Sequence, residues 1–140
     1  MIPSVLLRIG LIALVALSSL GLACAARPAQ PSVPLGSLFD LRYGTSATLQ
    51  GLKLTFDGVK SDSRCPQDAV CVWAGEAVVT LTMSRSGGAR VQQELRTTPA
   101  MSEASYLAYR VKLVALAPYP RSAQQIRPED YVATLTVDTP

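Results

Sequence analysis

One segment of the chain carries side chains whose types and spacing could do chemistry: Asp62-Ser63-Arg64-Cys65-Pro66, followed by Cys71-Val72-Trp73-Ala74-Gly75-Glu76. Two cysteines separated by five residues fit a disulfide over a short loop, which would restrict the unfolded chain by about 2–3 kcal/mol. Pro66 stiffens such a loop by fixing φ. The competing chemistry is a redox or thiolate-metal site. Catalytic dithiols usually sit as C-x-x-C, and soft-metal sites recruit histidine or further cysteines. Neither pattern is present, so Cys65 and Cys71 are expected to form a structural disulfide.

Carboxylates offer two more options. Asp57, Asp62, Asp68 and Glu76 all fall close to this loop. Calcium takes oxygen ligands, so an acidic loop outside the cell is a candidate calcium or small-ligand site. Lys60 and Arg64 lie among the acids and no calcium-loop spacing is present, so solvated charges and salt bridges are the plainer account. Two of the acids could instead serve a small hydrolase, provided they face each other about 5–10 Å apart across a cleft. A Ser-Lys dyad can be written from Lys60 with Ser61 or Ser63, but adjacent positions of an extended chain point to opposite faces. No catalytic residue is assigned.

The chain has no histidine. That excludes Ser-His-Asp and Cys-His catalysis, histidine metal ligation and a histidine pH switch. Basic residues are scattered without a run of three, and the formal net charge is only +3. A nucleic-acid surface needs a basic stripe, so nucleic acid is not an expected partner. No cofactor is expected, since no glycine-rich phosphate cradle precedes a helix, and no metal, since neither calcium-loop spacing nor a histidine or multi-cysteine ligand set is present.

Trp73 is the only tryptophan. It lies two residues after Cys71, on the same face of an extended strand, and a lone tryptophan beside a disulfide is expected in the core. The alternative is an exposed anchor for a partner. Tyr119, between Pro118 and Pro120, is the best candidate for an exposed aromatic contact in a loop. The candidate binding residues are therefore Trp73, Tyr119, Asp62, Arg64, Asp68 and Glu76.

In these residues the chain resembles an uncharacterised family of small secreted bacterial proteins and lipoproteins that share a D-S-R-C-P…C-x-W-A-G-E pattern between two strands. Pro118-Tyr119-Pro120 and Asp130-Tyr131 extend the resemblance over most of the domain. It implies export and a β fold, and brings no activity with it.

The elements that position these residues read as strands. Leu52, Leu54 and Phe56 alternate with Lys53, Thr55 and Asp57, and Ala77, Val79, Leu81 and Met83 alternate with more polar neighbours. Period two marks a strand with one buried face. Ser86-Gly87-Gly88 reads as a turn joining the second run to Val91, Gln93 and Leu95. Tyr109, Val111, Leu113 and Ala115 form another run, and Tyr131, Ala133, Leu135 and Val137 a last one. Short strands are expected near 38–42 and 47–50, and a strand is expected to start near Val72. Residues 99–105 suit a single turn and 118–128 a proline-bounded loop. The expected fold is all-β: an antiparallel, immunoglobulin-like sandwich of about seven strands, with a small closed barrel as the alternative.

The hydrophobic fraction of 49% is high for a soluble domain. The excess sits at the front, where Arg8 precedes an apolar run from Ile9 to Leu22 ending in small residues. This is the layout of a secretory signal, expected as a helix over 1–23 and too short for a membrane span of about 20 apolar residues. Leu22-Ala23-Cys24 resembles a bacterial lipoprotein signal with Cys24 as the lipidated residue, although Gly21 stands where leucine is usual. Cleavage after Ala23-Cys24-Ala25 would instead release a soluble protein. Two features favour lipidation. Residues 24–36 carry Pro28, Pro31 and Pro34, which suits a tether of about 3.1 Å per residue. Removing Cys24 from three cysteines also leaves an even pair, as expected in an oxidising compartment. The organisation expected is a signal over 1–23, a lipidated, proline-rich tether over 24–36 and one β-sandwich over 37–140. The protein is expected to be exported and attached through the lipid on Cys24, where it binds an unknown protein or envelope component, or has a structural role.

Overall fold

The period-two alternation is realised as strands throughout a computed structural model, which describes residues 32–139. The strands are β1 (Phe39–Arg42), β2 (Ser46–Leu49), β3 (Leu52–Asp62), β4 (Ala77–Arg85), β5 (Val91–Arg96), β6 (Glu103–Tyr106), β7 (Tyr109–Ala117) and β8 (Val132–Asp138), with 3-10 turns at Pro99–Met101 and Pro128–Asp130. They form two open, four-stranded antiparallel sheets ordered β1-β8-β7-β6 and β2-β3-β4-β5. The expected sandwich is therefore present, and the closed-barrel alternative is not. The signal helix and Cys24 lie outside the described residues. Among the described residues, no helix is long and apolar enough to cross a membrane.

The core lies between the sheets. Leu52, Leu54 and Phe56 of β3 and Val79, Leu81 and Met83 of β4 face Val111 and Leu113 of β7 and Leu135 and Val137 of β8. Alternation puts every second residue on one face, so each strand contributes a row of apolar side chains to the same layer. The β2–β3 hairpin turns through Gln50 at φ 44° and Gly51 at φ 90°. Two positive φ values match the twist that a two-residue antiparallel hairpin requires.

The eight strands agree with the expected count of about seven; the additional one is β6, which pairs with the start of β7 through a turn at Leu107 (φ 53°) that carries no glycine or asparagine signal. Three expectations need correction. The strand expected near Val72 starts at Ala77, which leaves 63–76 as a loop. In β7 the ladder to β8 skips Val114: Leu113 pairs with Leu135 and Ala115 with Thr134. One extra residue reverses the faces, so Leu116 enters the core and Ala115 points out. Of the tether expected over 24–36, only residues 32–36 are described, and these pack on the domain. Ser32 bridges to Thr48, the Gly36 amide bonds Val137 O, and Val33 and Leu35 pack on the core.

Candidate functional site

Loop 63–76 connects β3 to β4 at one end of the sandwich, and its first residues are held from three directions. Asp62 ends β3 and accepts two hydrogen bonds from the Arg64 guanidinium, from Nε at 2.8 Å and Nη2 at 2.6 Å, plus one from the Arg64 backbone amide at 3.2 Å. Arg64 is buried, at 7% exposure. Its remaining donors reach the end of β7 and the residues beyond it: Nη1 bonds Leu116 O at 2.7 Å, and Nη2 bonds Pro118 O at 2.9 Å. The Tyr119 ring lies 4.8 Å from the guanidinium carbon, within cation-π range. Tyr131 closes the cluster by donating its hydroxyl to Asp62 Oδ2 at 3.0 Å.

The electrostatics follow from this packing. Burial pushes the Asp62 carboxyl up, but the Arg64 hydrogen bonds and charge, with the Tyr131 bond, outweigh it and hold the group below its usual value. Burial and the hydrogen bond to the Asp62 carboxylate raise the Tyr131 hydroxyl to about 12. Asp62 is thus ionised, Tyr131 neutral, and the buried arginine is paired with donors and acceptors in place.

The rest of the motif builds the loop. Cys65 and Cys71 form the expected disulfide. Ser63 N and Oγ both bond Glu76 O, and the Cys65 amide bonds Ala74 O. This brings the two loop stems so close that a Cβ on Gly75 would lie 1.8 Å from Ser63 O, and Gly75 also has φ 66°. Only glycine fits there. Glu76 pairs with Arg96 and accepts from Thr98 Oγ1 at 3.0 Å. Asp68 accepts from the amide and hydroxyl of Ser122 at 2.8 and 3.0 Å; the amide bond is the main cause holding its carboxyl below its usual value.

The structure does not gather the acidic residues around one point. Asp62 faces Arg64, Asp68 faces Ser122 and Glu76 faces Arg96, so each carboxylate is used by a different neighbour. Among the described residues, no three metal-ligating groups converge. The Ser-Lys dyad is not formed. Lys60 pairs with Glu94, and the Ser63 hydroxyl is spent on Glu76 O.

Trp73 corrects the expectation of a core position, since it is 82% exposed. The physical reason is the late start of β4. Residues 70–73 have no strand partner to lay them over the core, and Val70 and Val72 are exposed with Trp73. Tyr119 is partly exposed, at 46%, while its ring covers Arg64.

Beside this loop is a cleft of about 410 Å³. Its walls come from Ala74 and Gly75, from Thr97 to Pro99 after β5, and from Leu113 to Leu116 at the bulge of β7, with Arg64 and Tyr119 closing one side. The lining is chiefly apolar, and Arg64, its only charged side chain, is neutralised by Asp62. Of the candidate residues, the cleft brings Arg64 and Tyr119 together, and Asp62 supports them from behind. Asp68, Glu76 and Trp73 do not line it. The sequence reading missed Thr98, Pro99, Val114 and Leu116. They are remote in sequence from the motif, and the one-residue bulge that aims Val114 and Leu116 leaves no signal in a pattern of period two.

Fold and site together define an antiparallel β-sandwich with a disulfide-closed loop and an apolar cleft at one pole. No protein-family model, curated protein or solved structure matches the chain.

Proposed function

We propose that the protein is an exported, lipid-anchored, non-catalytic module that uses its loop 63–76 pole to bind a protein or another envelope component. The observation that carries the reading is the exposure of Trp73, Val72 and Val70 on a tied loop beside an apolar cleft. Exposed apolar groups clustered in this way mark interaction surfaces, and tryptophan is enriched among binding hot spots.

The position of the pole supports the same reading. The described chain begins where Ser32 meets Thr48 and Gly36 meets Val137, near the β2–β3 hairpin and the end of β8. The loop lies at the other end of β3, whose 11 residues span roughly 33 Å at about 3.3 Å per residue. A domain tethered through residues before Ser32 would hold the loop away from its own anchoring membrane. Export and the anchor rest on the apolar run from Ile9 to Leu22, the Leu22-Ala23-Cys24 sequence and the prolines that follow.

Two measurements test the proposal. Mass spectrometry of the mature N-terminus is expected to show an acylated Cys24, and an unmodified terminus at Ala26 would refute the anchor. Cross-linking in envelope preparations is expected to trap a defined partner that is lost in Trp73→Ala. Failure to trap anything dependent on Trp73 would refute the binding pole.

A further inference from the structure

We propose that the Cys65–Cys71 disulfide is a two-electron switch that sets the order of apolar segment 70–73, and so regulates the pole; the regulatory part rests on the binding reading above. Nearly every part of the loop has a second tie. Ser63 is bonded to Glu76, the Cys65 amide to Ala74 O, the Gln67 amide to Pro120 O, Asp68 to Ser122, and the Ala69 amide to Pro66 O. Segment 70–73 is different. Among the described residues, Val70, Val72 and Trp73 are exposed and make no hydrogen bond or ion pair, so between Ala69 and Ala74 the only tie is the Cys71 sulfur.

Cutting that tie returns backbone and side-chain freedom to four residues at little cost in contacts. The fold does not depend on it locally. The loop stems stay joined through Ser63, Glu76, Cys65 and Ala74, and Arg64 remains locked to Asp62, Leu116 and Pro118. Reduction therefore releases Trp73 while leaving the cleft and the sandwich in place.

The chemistry needs a dithiol as co-reactant. One thiolate of the dithiol attacks the sulfur of Cys71, an exposed residue, and the S–S bond breaks with Cys65 leaving as thiolate, which takes up a proton. The second thiolate of the dithiol then attacks the mixed disulfide, closing its own disulfide and releasing Cys71 as the second thiolate. Two electrons pass to the protein and the dithiol is oxidised.

The test compares the complete mature protein as the disulfide, after reduction with dithiothreitol, and as the double variant Cys65→Ser, Cys71→Ser. Backbone order parameters by NMR and the fluorescence anisotropy of the single tryptophan are read in each. Reduction is expected to take the amides of 70–73 from the rigid range near about 0.85 to below about 0.6, with β3, β4 and β7 unchanged. The double variant should match the reduced protein. Unchanged order at 70–73 would overturn the switch. Unfolding of the strands in the reduced protein would overturn it too, by making the disulfide a fold staple. Cross-linking separates the two proposals. If trapping of a Trp73-dependent partner is equal in the oxidised and reduced proteins, the regulatory claim fails and the binding pole stands. If reduction loosens the segment but nothing trapped depends on Trp73, the binding pole fails and, with it, the regulatory role.

Discussion

The Arg64 guanidinium donates to Leu116 O at 2.7 Å, joining the start of the disulfide loop to β7 across 52 positions of sequence. With Asp62 on its other edge, this one side chain ties the pole of one sheet to the other. Its removal would leave Asp62 a buried carboxylate without its cation. Arg64→Ala is expected to cost about 3–5 kcal/mol in denaturant unfolding, the range for breaking a buried pair from one side. Arg64→Lys keeps the charge but loses the fork of donors, so it should recover only part of that loss. A value within error of wild type would show that the cluster is not a tie.

The same cluster gives the protein two pH edges. Asp62 is held below its ordinary value in the folded state, so its contribution is full above the unfolded value and is lost as pH falls through the folded one. Stability should therefore decline below about pH 4, less steeply in Asp62→Asn. Tyr131 is raised to about 12, so its contribution is full below the unfolded value near 10 and is lost as pH climbs toward 12. Tyr131→Phe should flatten that alkaline decline. Urea midpoints measured across both ranges check the signs.

Gly75 differs from the other turn glycines. An added Cβ would meet Ser63 O at 1.8 Å, whereas at Gly87, also at positive φ, it would meet nothing within 4 Å. Gly87→Ala should cost about 1–2 kcal/mol from left-handed backbone strain alone. Gly75→Ala adds a backbone clash that cannot relax without parting the Ser63–Glu76 bonds, so its melting temperature should fall clearly further.

Trp73 and Phe56 should respond to truncation in opposite ways. Phe56 has no exposed surface and belongs to the core between the sheets, so Phe56→Ala is expected to cost about 3–5 kcal/mol. Trp73 is mostly exposed, so Trp73→Ala should change stability by no more than about 0.5 kcal/mol. A large loss in Trp73→Ala would place the indole in the fold.

Alternation made β3, β4 and β8 legible, because a half-buried strand repeats every two residues and Leu52, Leu54, Phe56, Ala133, Leu135 and Val137 keep that period. It failed at β6, a four-residue strand whose turn uses Leu107 at positive φ, and at Val114, where one inserted residue moves Leu116 to the core. The motif was visible as a motif. That Arg64 is a buried tie and Trp73 an exposed group was not, since neither residue type states what will pack over it.

The residues alone determined the all-β class, the Cys65–Cys71 bridge and the loop as the distinctive segment, because strand period, cysteine spacing and turn chemistry are local properties. Tertiary structure decided the rest. The carbonyls of Leu116 and Pro118, the hydroxyl of Tyr131 and the walls at Thr98 and Val114 reach the loop only after the sheets stack. Burial, pairing and the cleft are products of long-range contacts, which no spacing along the chain encodes.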